Sequence, residues 1–339
     1  MSLLPLEAVR AARRTIAGVA VETPLVPSPF LAARFGHEVL LKLETTQPIG
    51  AFKLRGAANA VLALPDGVAG VTCCSTGNHG RGVAYAARRR GLRAVICMSA
   101  LVPQAKVEGI RALGAEVRIS GRSQDDALAE SLRLVDEEGL IEISPFDDPL
   151  VIAGQATIAL ELLEQCPDLS AVLVPLSGGG LAGGIAAAAK QLKPAIRVIG
   201  ITMDRGAAMY ESLRAGHPVE VEEVASLADS LGGGIGLANR LSFPLCREYL
   251  DDVVLVTEAE IYRGLQAIYY EDRMVCEGAS AVGVAALLAE KLPPLGGPAA
   301  TIVTGRNLDM QIHADIMQGR DVVLGDMVLQ GQAYAARPT

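Results

Sequence analysis

A lysine near the amino end of a predicted helix is the first residue whose type and place suggest chemistry. Lys53 lies in the segment G-A-F-K-L-R-G at residues 50–56, ahead of an alanine-rich helical pattern. The positive end of the helix dipole disfavours an ammonium there, so we expect the pKa of the Lys53 amine to be lowered. A deprotonated amine is what Schiff-base chemistry requires. An ordinary surface lysine is the alternative, because the chain has 30 basic residues.

A glycine loop, S-G-G-G-L at residues 177–181, is the second such feature. Its backbone N–H groups carry no side-chain obstruction and stand at the predicted start of a helix, an arrangement that binds phosphate. Glycines at such a place also allow a helix to pack closely on a strand. The loop matches neither the dinucleotide fingerprint nor a P-loop. Phosphate binding and close packing both remain open from these residues alone.

The third feature is a polar loop, S-T-G-N-H-G at residues 75–80. Its hydroxyl and amide donors would suit an anion. A Ser or Asn at this place also commonly caps the helix that follows, so the loop is ambiguous by itself. His79 is a candidate base, with a structural histidine as the alternative.

These features need elements to position them, and short β-branched runs alternate with alanine-rich stretches along the chain. That alternation predicts a parallel sheet covered by helices. The predicted strands are Val39–Leu43, Val71–Cys74, Ala94–Met98, Glu116–Ile119, Ala171–Pro175, Val198–Thr202, Asp252–Val256 and Thr301–Val303. The predicted helices are Gly80–Arg90, Ala105–Leu113, Ser123–Glu138, Ile152–Gln165, Leu181–Leu192, Glu258–Glu271 and Ser280–Glu290.

The polar loop and the glycine loop each follow a predicted strand and precede a predicted helix. Ligands bind at such places in open α/β sheets. Two strand–loop–helix units therefore predict two sheet domains with a cleft between them.

Composition excludes several classes of protein. The 339 residues are enough for one large or two ordinary domains, and the 50% hydrophobic content excludes disorder. The net charge of −8 and the lack of a long basic run argue against a nucleic-acid partner. The densest basic cluster, Arg88–Arg90, ends a predicted helix just before Gly91, where cations complement the helix dipole.

Six cysteines without a C-x-x-C spacing predict free thiols in a reducing cytoplasm. Residues 1–14 lack the pattern of a signal peptide, so none is expected. Residues 170–189 are uncharged over about the length of a membrane span. They contain Pro175 and three consecutive glycines, which indicate strand, loop and helix instead. We therefore predict a cytoplasmic protein without a membrane partner.

Four ordered motifs carry a family resemblance: K-L-E-T-T-Q-P-I-G-A-F-K-L-R-G-A, S-T-G-N-H-G, P-L-S-G-G-G-L-A-G-G and T-G-R-N-L-D. From about Leu25 to Asp309 the chain resembles the fold type II pyridoxal-phosphate enzymes, in the serine/threonine dehydratase and serine racemase branch. The resemblance implies a tryptophan synthase β-like α/β fold of two open, mostly parallel sheet domains with helices on both faces. It places the cofactor in the interdomain cleft, between a large domain of residues 1–69 and 148–339 and a small domain of residues 70–147.

The resemblance also implies roles for single residues. Lys53 matches the Schiff-base lysine, Phe52 a neighbour of the pyridine ring, and Asn78 the partner of the cofactor's phenolic oxygen. The phosphate would be held by Ser177, Gly178, Gly179, Gly180 and Leu181. The substrate carboxylate would meet Ser75, Thr76, Gly77, Asn78 and His79. Thr304 matches the hydroxyl partner of the pyridine nitrogen, and a neutral hydroxyl there favours elimination over transamination.

The activity implied is dehydration of a threonine- or serine-like β-hydroxy amino acid to a 2-oxo acid and ammonia. Thr76, the second residue to which we assign proton movement, stands where racemases of this branch carry a serine, so dehydration is favoured over racemisation. A β-replacement synthase and a non-catalytic pyridoxal-phosphate or amino-acid binding protein are further alternatives, and the A-F-K-L-R-G wording favours the dehydratases. A nucleotide-binding dehydrogenase fits poorly without the dinucleotide fingerprint.

Departures from the family pattern refine these expectations. Thr202 and Ala208 replace the carboxylates of a divalent-cation site and leave Asp204 alone, so no magnesium or calcium site is expected. The chain ends about thirty residues after Asn307, and we therefore expect no regulatory domain and a catabolic role. Relatives of this kind imply a homodimer or a homotetramer.

Two segments carry a finer resemblance, C-C-S-T-G-N-H-G-R-G-V-A-Y-A-A and A-D-S-L-G-G-G-I-G. They look like the dehydratase associated with hydroxyectoine utilisation, which implies a hydroxylated diamino acid as an alternative substrate. The second segment, Ala228–Gly236, would line the substrate side. Asp229, its one charged residue, would face an added amine or cap a helix.

Overall fold

The structure, a computed structural model, describes residues 3–335 except Thr76, Leu101, Pro103 and Ser123. In that part of the chain the strands are β1 Leu25–Pro27, β2 Val39–Leu43, β3 Val71–Cys74, β4 Ala94–Met98, β5 Glu116–Ile119, β6 Ile141–Glu142, β7 Ala171–Pro175, β8 Arg197–Met203, β9 Asp252–Val256, β10 Ala299–Val303, β11 Val322–Leu324 and β12 Met327–Leu329. The α-helices are α1 Leu6–Thr15, α2 Pro29–Phe35, α3 Lys53–Leu62, α4 Asn78–Arg90, α5 Gln104–Arg111, α6 Gln124–Glu138, α7 Pro149–Gln165, α8 Gly180–Leu192, α9 Ala208–Ala215, α10 Ser242–Tyr249, α11 Glu258–Tyr270, α12 Gly278–Leu288 and α13 Met310–Met317.

Two parallel sheets organise these elements. The larger has the strand order β1-β2-β10-β7-β8-β9 and is parallel except for β1, which pairs antiparallel with β2. The smaller has the order β5-β4-β3-β6 and is parallel throughout. Its central strands β3 and β4 are buried along their whole length, as are β7 and β10 of the larger sheet. Continuous burial is typical of parallel strands covered on both faces, and the predicted fold class is confirmed.

The two faces of the larger sheet have separate cores. Successive residues of a strand point to opposite faces, so Leu40 and Val172 pack with α7 and α8, whereas Leu41 and Leu173 pack with α11 and α12. The smaller sheet is covered by α3 and α4 on one face and by α6 on the other. Helix α3 packs against both α4 and α7. It therefore lies between the two sheets, and its first residue is Lys53.

The predicted strands and helices all occur, with ends that shift by up to three residues; Ser123, the predicted start of one helix, lies outside the described residues. Helix α7 begins earlier than predicted because the Asp148 carboxylate accepts from Leu150 N at 2.8 Å and Val151 N at 2.9 Å, with Pro149 in the first turn. Sequence patterns did not identify nine further elements, which are α1, α2, α9, α10, α13, β1, β6, β11 and β12.

Domain boundaries at residues 69/70 and 147/148 stay a prediction. The strands of the smaller sheet all fall within residues 71–142, and those of the larger sheet fall outside that range. In the described part of the chain no helix combines the length and the apolar character that a membrane crossing needs. Residues 170–189, the uncharged stretch, form β7, the glycine loop and most of α8.

Candidate functional site

Lys53 is the first residue of α3, and its amine is directed at a backbone carbonyl. The Nζ atom donates to the Pro145 carbonyl oxygen at 2.6 Å and lies 5.5 Å from the centroid of the Phe52 ring. The side chain keeps some exposure, but protein atoms surround its ammonium, and this burial lowers the pKa of Lys53 to about 8. The direction agrees with the expectation, whereas the cause differs: loss of hydration, rather than the helix dipole, is the leading cause.

The carbonyl that meets Lys53 belongs to the connection from β6 to α7, which also contacts the glycine loop. The Asp147 carboxylate accepts from the backbone N–H groups of Arg240, Leu241 and Ser242 at 2.8–2.9 Å. Phe146 packs so closely on the loop that a Cβ added at Gly178 would lie 2.4 Å from its ring. Residues 145–147 thus join the lysine, the glycine loop and the start of α10.

The glycine loop ends at Gly180, where α8 begins. Gly179, at the N-cap, has a φ of 87° and provides no side-chain cap, so the first-turn N–H groups lack intrahelical acceptors. Helix α10 supports the loop through two hydrogen bonds. Ser242 Oγ donates to the Gly178 carbonyl at 2.6 Å, and Cys246 Sγ donates to the Gly179 carbonyl at 3.6 Å. Uncapped N–H groups and tight walls make this a cradle for a small anion.

Asn78, the first residue of α4, is held by two side chains from the larger sheet's side of the molecule. Its Nδ2 donates to both carboxylate oxygens of Glu277, at 2.9 and 3.1 Å, and its Oδ1 accepts from Asn307 Nδ2 at 2.6 Å. Glu277 is only 4% exposed, and burial raises the pKa of its carboxyl to about 7. The charge of Asp229 raises this pKa further, while the Asn78 hydrogen bonds oppose the rise.

Thr304 lies at the end of β10 and is bonded to a second hydroxyl. Its Oγ1 is 3.0 Å from Ser280 Oγ, which also bonds the backbone N–H and carbonyl of Gly305 at 2.8 and 2.9 Å. The Thr304 carbonyl accepts from Phe52 N at 2.9 Å. Because Lys53 directly follows Phe52, this backbone bond ties the start of α3 to Thr304, whose side chain is a hydroxyl without charge.

The polar loop is organised by Ser75, whose Oγ accepts from the N–H groups of Gly77 and Gly80 at 3.3 and 3.1 Å. His79 Nε2 lies 2.7 Å from the Ile143 carbonyl oxygen. Burial, with the Lys53 charge, lowers the pKa of His79 to about 3, so its ring is neutral and donates from Nε2. The burial agrees with the alternative of a structural histidine, and a role of His79 as a base or a substrate contact stays a prediction. Thr76 lies outside the described residues.

Asp229 opens a short 3-10 turn, Asp229–Leu231, and the expectation that it caps a helix is wrong because the N-cap position is Ala228 and no side-chain cap bond forms. Its carboxylate lies 3.6 Å from Lys106 Nζ of α5, a helix that packs on the smaller sheet. Ser230 Oγ lies 3.5 Å from Glu277 Oε1. The turn therefore borders the Asn78–Glu277 pair.

The sequence predicts that no cation site lies near Asp204. In this region Thr202 is buried and Asp204 is exposed. No group of three or more His, Cys, Asp or Glu side chains suited to a metal occurs among the described residues. The absence of a magnesium or calcium site stays a prediction. The six cysteines, all within the described residues, form no disulfide.

Contacts join most of the predicted site residues. Phe52 bonds Thr304, Lys53 and the glycine loop meet residues 145–146, and Asn78 reaches the β10 end through Asn307 and Glu277. Ser177 is partly exposed and Leu181 is buried at the start of α8.

Sequence reasoning missed several supporting residues of this site: Pro145, Phe146, Asp147, Ser242, Glu277, Ser280 and Asn307. One signal was available, since the D-P pair at residues 148–149 is a helix start that places a loop directly before it. Glu277 gave no comparable signal, because its partner Asn78 lies 199 residues away.

Comparison with known proteins agrees with this geometry. Residues 16–305 match the model of the family described as "Pyridoxal-phosphate dependent enzyme". A Sinorhizobium fredii protein, provisionally named threonine dehydratase, is 55% identical over 94% of this chain and 97% of its own length. The L-threonine ammonia-lyase of Thermotoga maritima is 38% identical over 91% of this chain and 77% of its own.

Among solved structures, maize serine racemase superposes with a TM-score of 0.87 at 33% identity, covering 91% of this chain and 95% of that one. The family match, over residues 16–305, covers well over half of the sequence. This chain belongs to the family of pyridoxal-phosphate-dependent enzymes.

Proposed function

We propose that this enzyme is an ammonia-lyase that removes water from a β-hydroxy amino acid, giving a 2-oxo acid and ammonia. The observation that carries the proposal is Lys53: a buried amine with a pKa of about 8, connected to the uncapped glycine loop through residues 145–146, and preceded by Phe52, whose backbone N–H donates to the Thr304 carbonyl. The 55% and 38% identical relatives, named as a threonine dehydratase and a threonine ammonia-lyase, support the same activity.

The residues present fit the family's cofactor, pyridoxal 5′-phosphate. The phosphate suits the first-turn N–H groups of α8, which no side chain caps, with Ser177, Gly178, Gly179, Gly180 and Leu181 around it. Phe52 would flank the ring, and Asn78 and Thr304 would meet its phenolic oxygen and its pyridine nitrogen. Asn78 is oriented for this by Glu277 and Asn307, and Thr304 by Ser280.

When bound, the cofactor supplies an electron-accepting ring that stabilises negative charge at the α-carbon of an amino acid. Lys53 Nζ is neutral in a substantial fraction of molecules near pH 8, so it can take the α-proton and hold it. The Thr304 and Ser280 hydroxyls bring no charge to the ring, which favours prompt loss of the β-hydroxyl. Ser75 fixes the polar loop, Ser75–His79, against which the substrate carboxylate would lie.

Racemisation is the less favoured activity. A racemase moves protons on both faces of the substrate and needs a second group opposite Lys53. His79, the titratable residue of the polar loop, is buried and neutral with a pKa of about 3, so that group would have to be Thr76, which stands where racemases of this branch carry a serine. A purely non-catalytic binding protein would not require a lysine amine with a lowered pKa.

The substrate is threonine, serine or a hydroxylated diamino acid of the kind that arises from hydroxyectoine. Asp229 favours the diamino acid as a second candidate, because it borders Glu277 and its present partner, Lys106, is a cation at 3.6 Å. Both side chains of that pair are exposed, so an amine of the substrate can replace the lysine at little cost.

Ammonia and 2-oxo acid release from L-threonine, L-serine and a 3-hydroxy-2,4-diaminobutyrate derivative tests the proposal. We expect turnover of at least one of them, a loss of at least about a hundredfold in Lys53→Ala, and full activity in the control Lys190→Ala. Serine recovered from the reaction should remain the L-enantiomer. Full turnover by Lys53→Ala, or racemised serine without ammonia, would overturn it.

Asp229→Asn separates the substrates. If the diamino acid is the substrate, we expect its KM to rise about tenfold while the constants for threonine stay unchanged. Lys106→Met, the matched variant on the other side of the pair, should not raise the KM for the diamino acid. An equal effect of Asp229→Asn on both substrates contradicts the diamino assignment.

Assembly as a homodimer or homotetramer and a cytoplasmic location complete the proposal. Light scattering of the purified protein at micromolar concentration tests the first, and a monomer there would contradict it.

A further inference from the structure

Four charged side chains lie almost completely buried beneath the amino end of α3, and the activity does not use them. Lys42, Glu44, Arg55 and Glu161 have side-chain exposures of 0, 0, 1 and 4%. Two are cations and two are anions, so their charges balance. We call them the buried charge cluster.

Arg55 lies at the centre of the buried charge cluster. Its Nε and Nη2 donate to the two oxygens of Glu44, both at 2.8 Å, and its Nη1 and Nη2 donate to those of Glu161 at 2.5 and 2.8 Å. Nη1 also reaches Thr157 Oγ1 at 3.1 Å. A planar guanidinium held by two carboxylates in this way has one permitted orientation.

Lys42 completes the cluster from β2. Its Nζ donates to Glu161 Oε2 at 2.6 Å and to the Thr23 carbonyl oxygen at 2.7 Å. Burial alone would raise the pKa of Glu161, but Arg55 and Lys42 hold it below its usual range. Glu161 is therefore an ionised carboxylate shared by two cations.

The position of Arg55 links this cluster to Lys53. The two residues are two apart in the first turn of α3 and so point to nearly opposite sides of the helix. Lys53 points to Pro145, whereas Arg55 points to carboxylates after β2 and on α7. The N-cap residue Phe52 provides no side-chain cap, and Arg55 anchors this turn together with the Gly56 N–H, which donates to Gln155 Oε1 at 3.2 Å.

Stability by itself is a poor reason for such a cluster. Desolvation of buried ions offsets most of their attraction, and apolar residues of similar size often stabilise a protein equally well. Apolar side chains do not impose the fixed orientation that two carboxylates impose on a guanidinium. Displacing a catalytic group by about 1 Å can lower a rate about a hundredfold.

We propose that Arg55 is a positioning residue, which holds the first turn of α3 through Glu44 and Glu161 so that the Lys53 amine meets its reaction partner. This inference rests on the proposed role of Lys53. It goes beyond that role because it assigns the placement of the amine to a residue that touches neither the substrate nor the cofactor.

Arg55→Lys and Lys42→Met, both in the holoenzyme, test the inference. Arg55→Lys keeps the charge but loses the planar fork, on the helix that carries Lys53. Lys42→Met disturbs the same cluster from β2 and leaves both contacts of Arg55 in place. Thermal unfolding should report a loss of stability in both variants.

Only Arg55→Lys should alter the chemistry. We expect its kcat to fall about a hundredfold with little change in KM, the visible absorbance band of the bound cofactor to shift, and cofactor loss on dilution to accelerate. Lys42→Met should keep the kcat, the band and the dissociation rate. Equal changes in the two variants, or an unchanged band and kcat in soluble, folded Arg55→Lys, would overturn the inference.

The absorbance and dissociation readouts do not depend on the substrate. If the wild-type enzyme released no ammonia from any compound tested, the proposed function would fail, while a shifted band in Arg55→Lys alone would still support the positioning role.

Discussion

At the residue scale, the protonation state of the Glu277 carboxyl determines how Asn78 can form hydrogen bonds. The two oxygens of an ionised Glu277 accept from Asn78 Nδ2, at 2.9 and 3.1 Å, whereas a protonated Glu277 accepts more weakly and has a proton to donate. With a pKa raised to about 7 by burial, both forms are populated near neutral pH. The hydrogen-bonding capacity of Asn78 is thereby linked to pH.

Glu277→Gln should flatten the pH dependence of stability. The pKa of Glu277 is raised from 4.5 to about 7 in the folded protein, so the folded state holds more protons between these values. Its contribution is present in full below pH 4.5 and is lost as the pH rises through 7. Glutamine does not titrate. Between pH 5 and 8 we therefore expect the unfolding free energy of the variant to fall by up to about 3 kcal/mol less than that of the wild type.

Denaturant unfolding at each pH measures this difference. Glu142, whose pKa burial also raises to about 7, is present in both proteins and cancels in the comparison. Parallel curves for wild type and variant would mean that Glu277 does not titrate in this range.

At the scale of elements, contacts with α10 hold the glycine loop in its conformation. Ser242 donates to the Gly178 carbonyl, and Asp147 accepts the first N–H groups of this helix. The loop can turn into α8 because Gly179 adopts a φ of 87° next to Met209 and Cys246. A Cβ there would lie 2.6 Å from Met209 Cε and 2.9 Å from Cys246 Sγ.

Gly179→Ala should weaken cofactor binding at least tenfold, because the added methyl pushes α10 and the loop apart. Gly216→Ala is the matched control: its φ is 78°, and nothing lies within 4 Å of an added Cβ. Both variants meet the same left-handed backbone penalty of about 1–2 kcal/mol. Cofactor titration by absorbance gives the comparison, and equal affinities in the two variants would contradict the account of the loop.

At the scale of the whole molecule, the proposed cofactor site draws on both sheets. Asn78 begins a helix of the smaller sheet, while the glycine loop, Thr304 and Glu277 belong to the larger one. In the described residues, the contacts between the smaller sheet's helices and the larger sheet's part of the chain include the Asn78–Glu277 bonds and the exposed Lys106–Asp229 pair. A ligand bound to both sides would add to these contacts in the folded state only.

Removing the cofactor should therefore lower the thermal unfolding midpoint by several degrees. A ligand at a thousand times its dissociation constant stabilises the folded state by about 4 kcal/mol. Hydrogen exchange should increase at the starts of α4 and α8 and change least in α11, which packs on α12 and α13. An unchanged midpoint in the cofactor-free protein would argue against a site that joins the two sheets.

Much of the fold was predictable because its signals are local. Each predicted strand is a short run of mostly apolar residues, and the helices after β3 and β7 begin where polar or glycine residues interrupt those runs. The elements that sequence patterns missed are short, such as β6 with two residues and β1 with three. Their existence depends on a neighbouring strand rather than on their own side chains.

The site divides in the same way. Lys53, the glycine loop and the polar loop stand out along the chain, because their chemistry follows from residue types at the ends of strands and helices. Glu277 and Arg55 do not stand out, because what matters about them is their contacts with residues about a hundred positions away or more, such as Glu161 for Arg55.

The sequence by itself therefore determined the family, through its ordered motifs, and the candidate reacting amine, Lys53. Folding decided the rest: that His79 is buried and neutral, that burial lowers the pKa of Lys53, and that Asp229 pairs with Lys106. The physical reason is that the loss of hydration of a side chain and its pairing with other charges depend on which distant segments surround it. Those surroundings exist only once the two sheets have packed around α3.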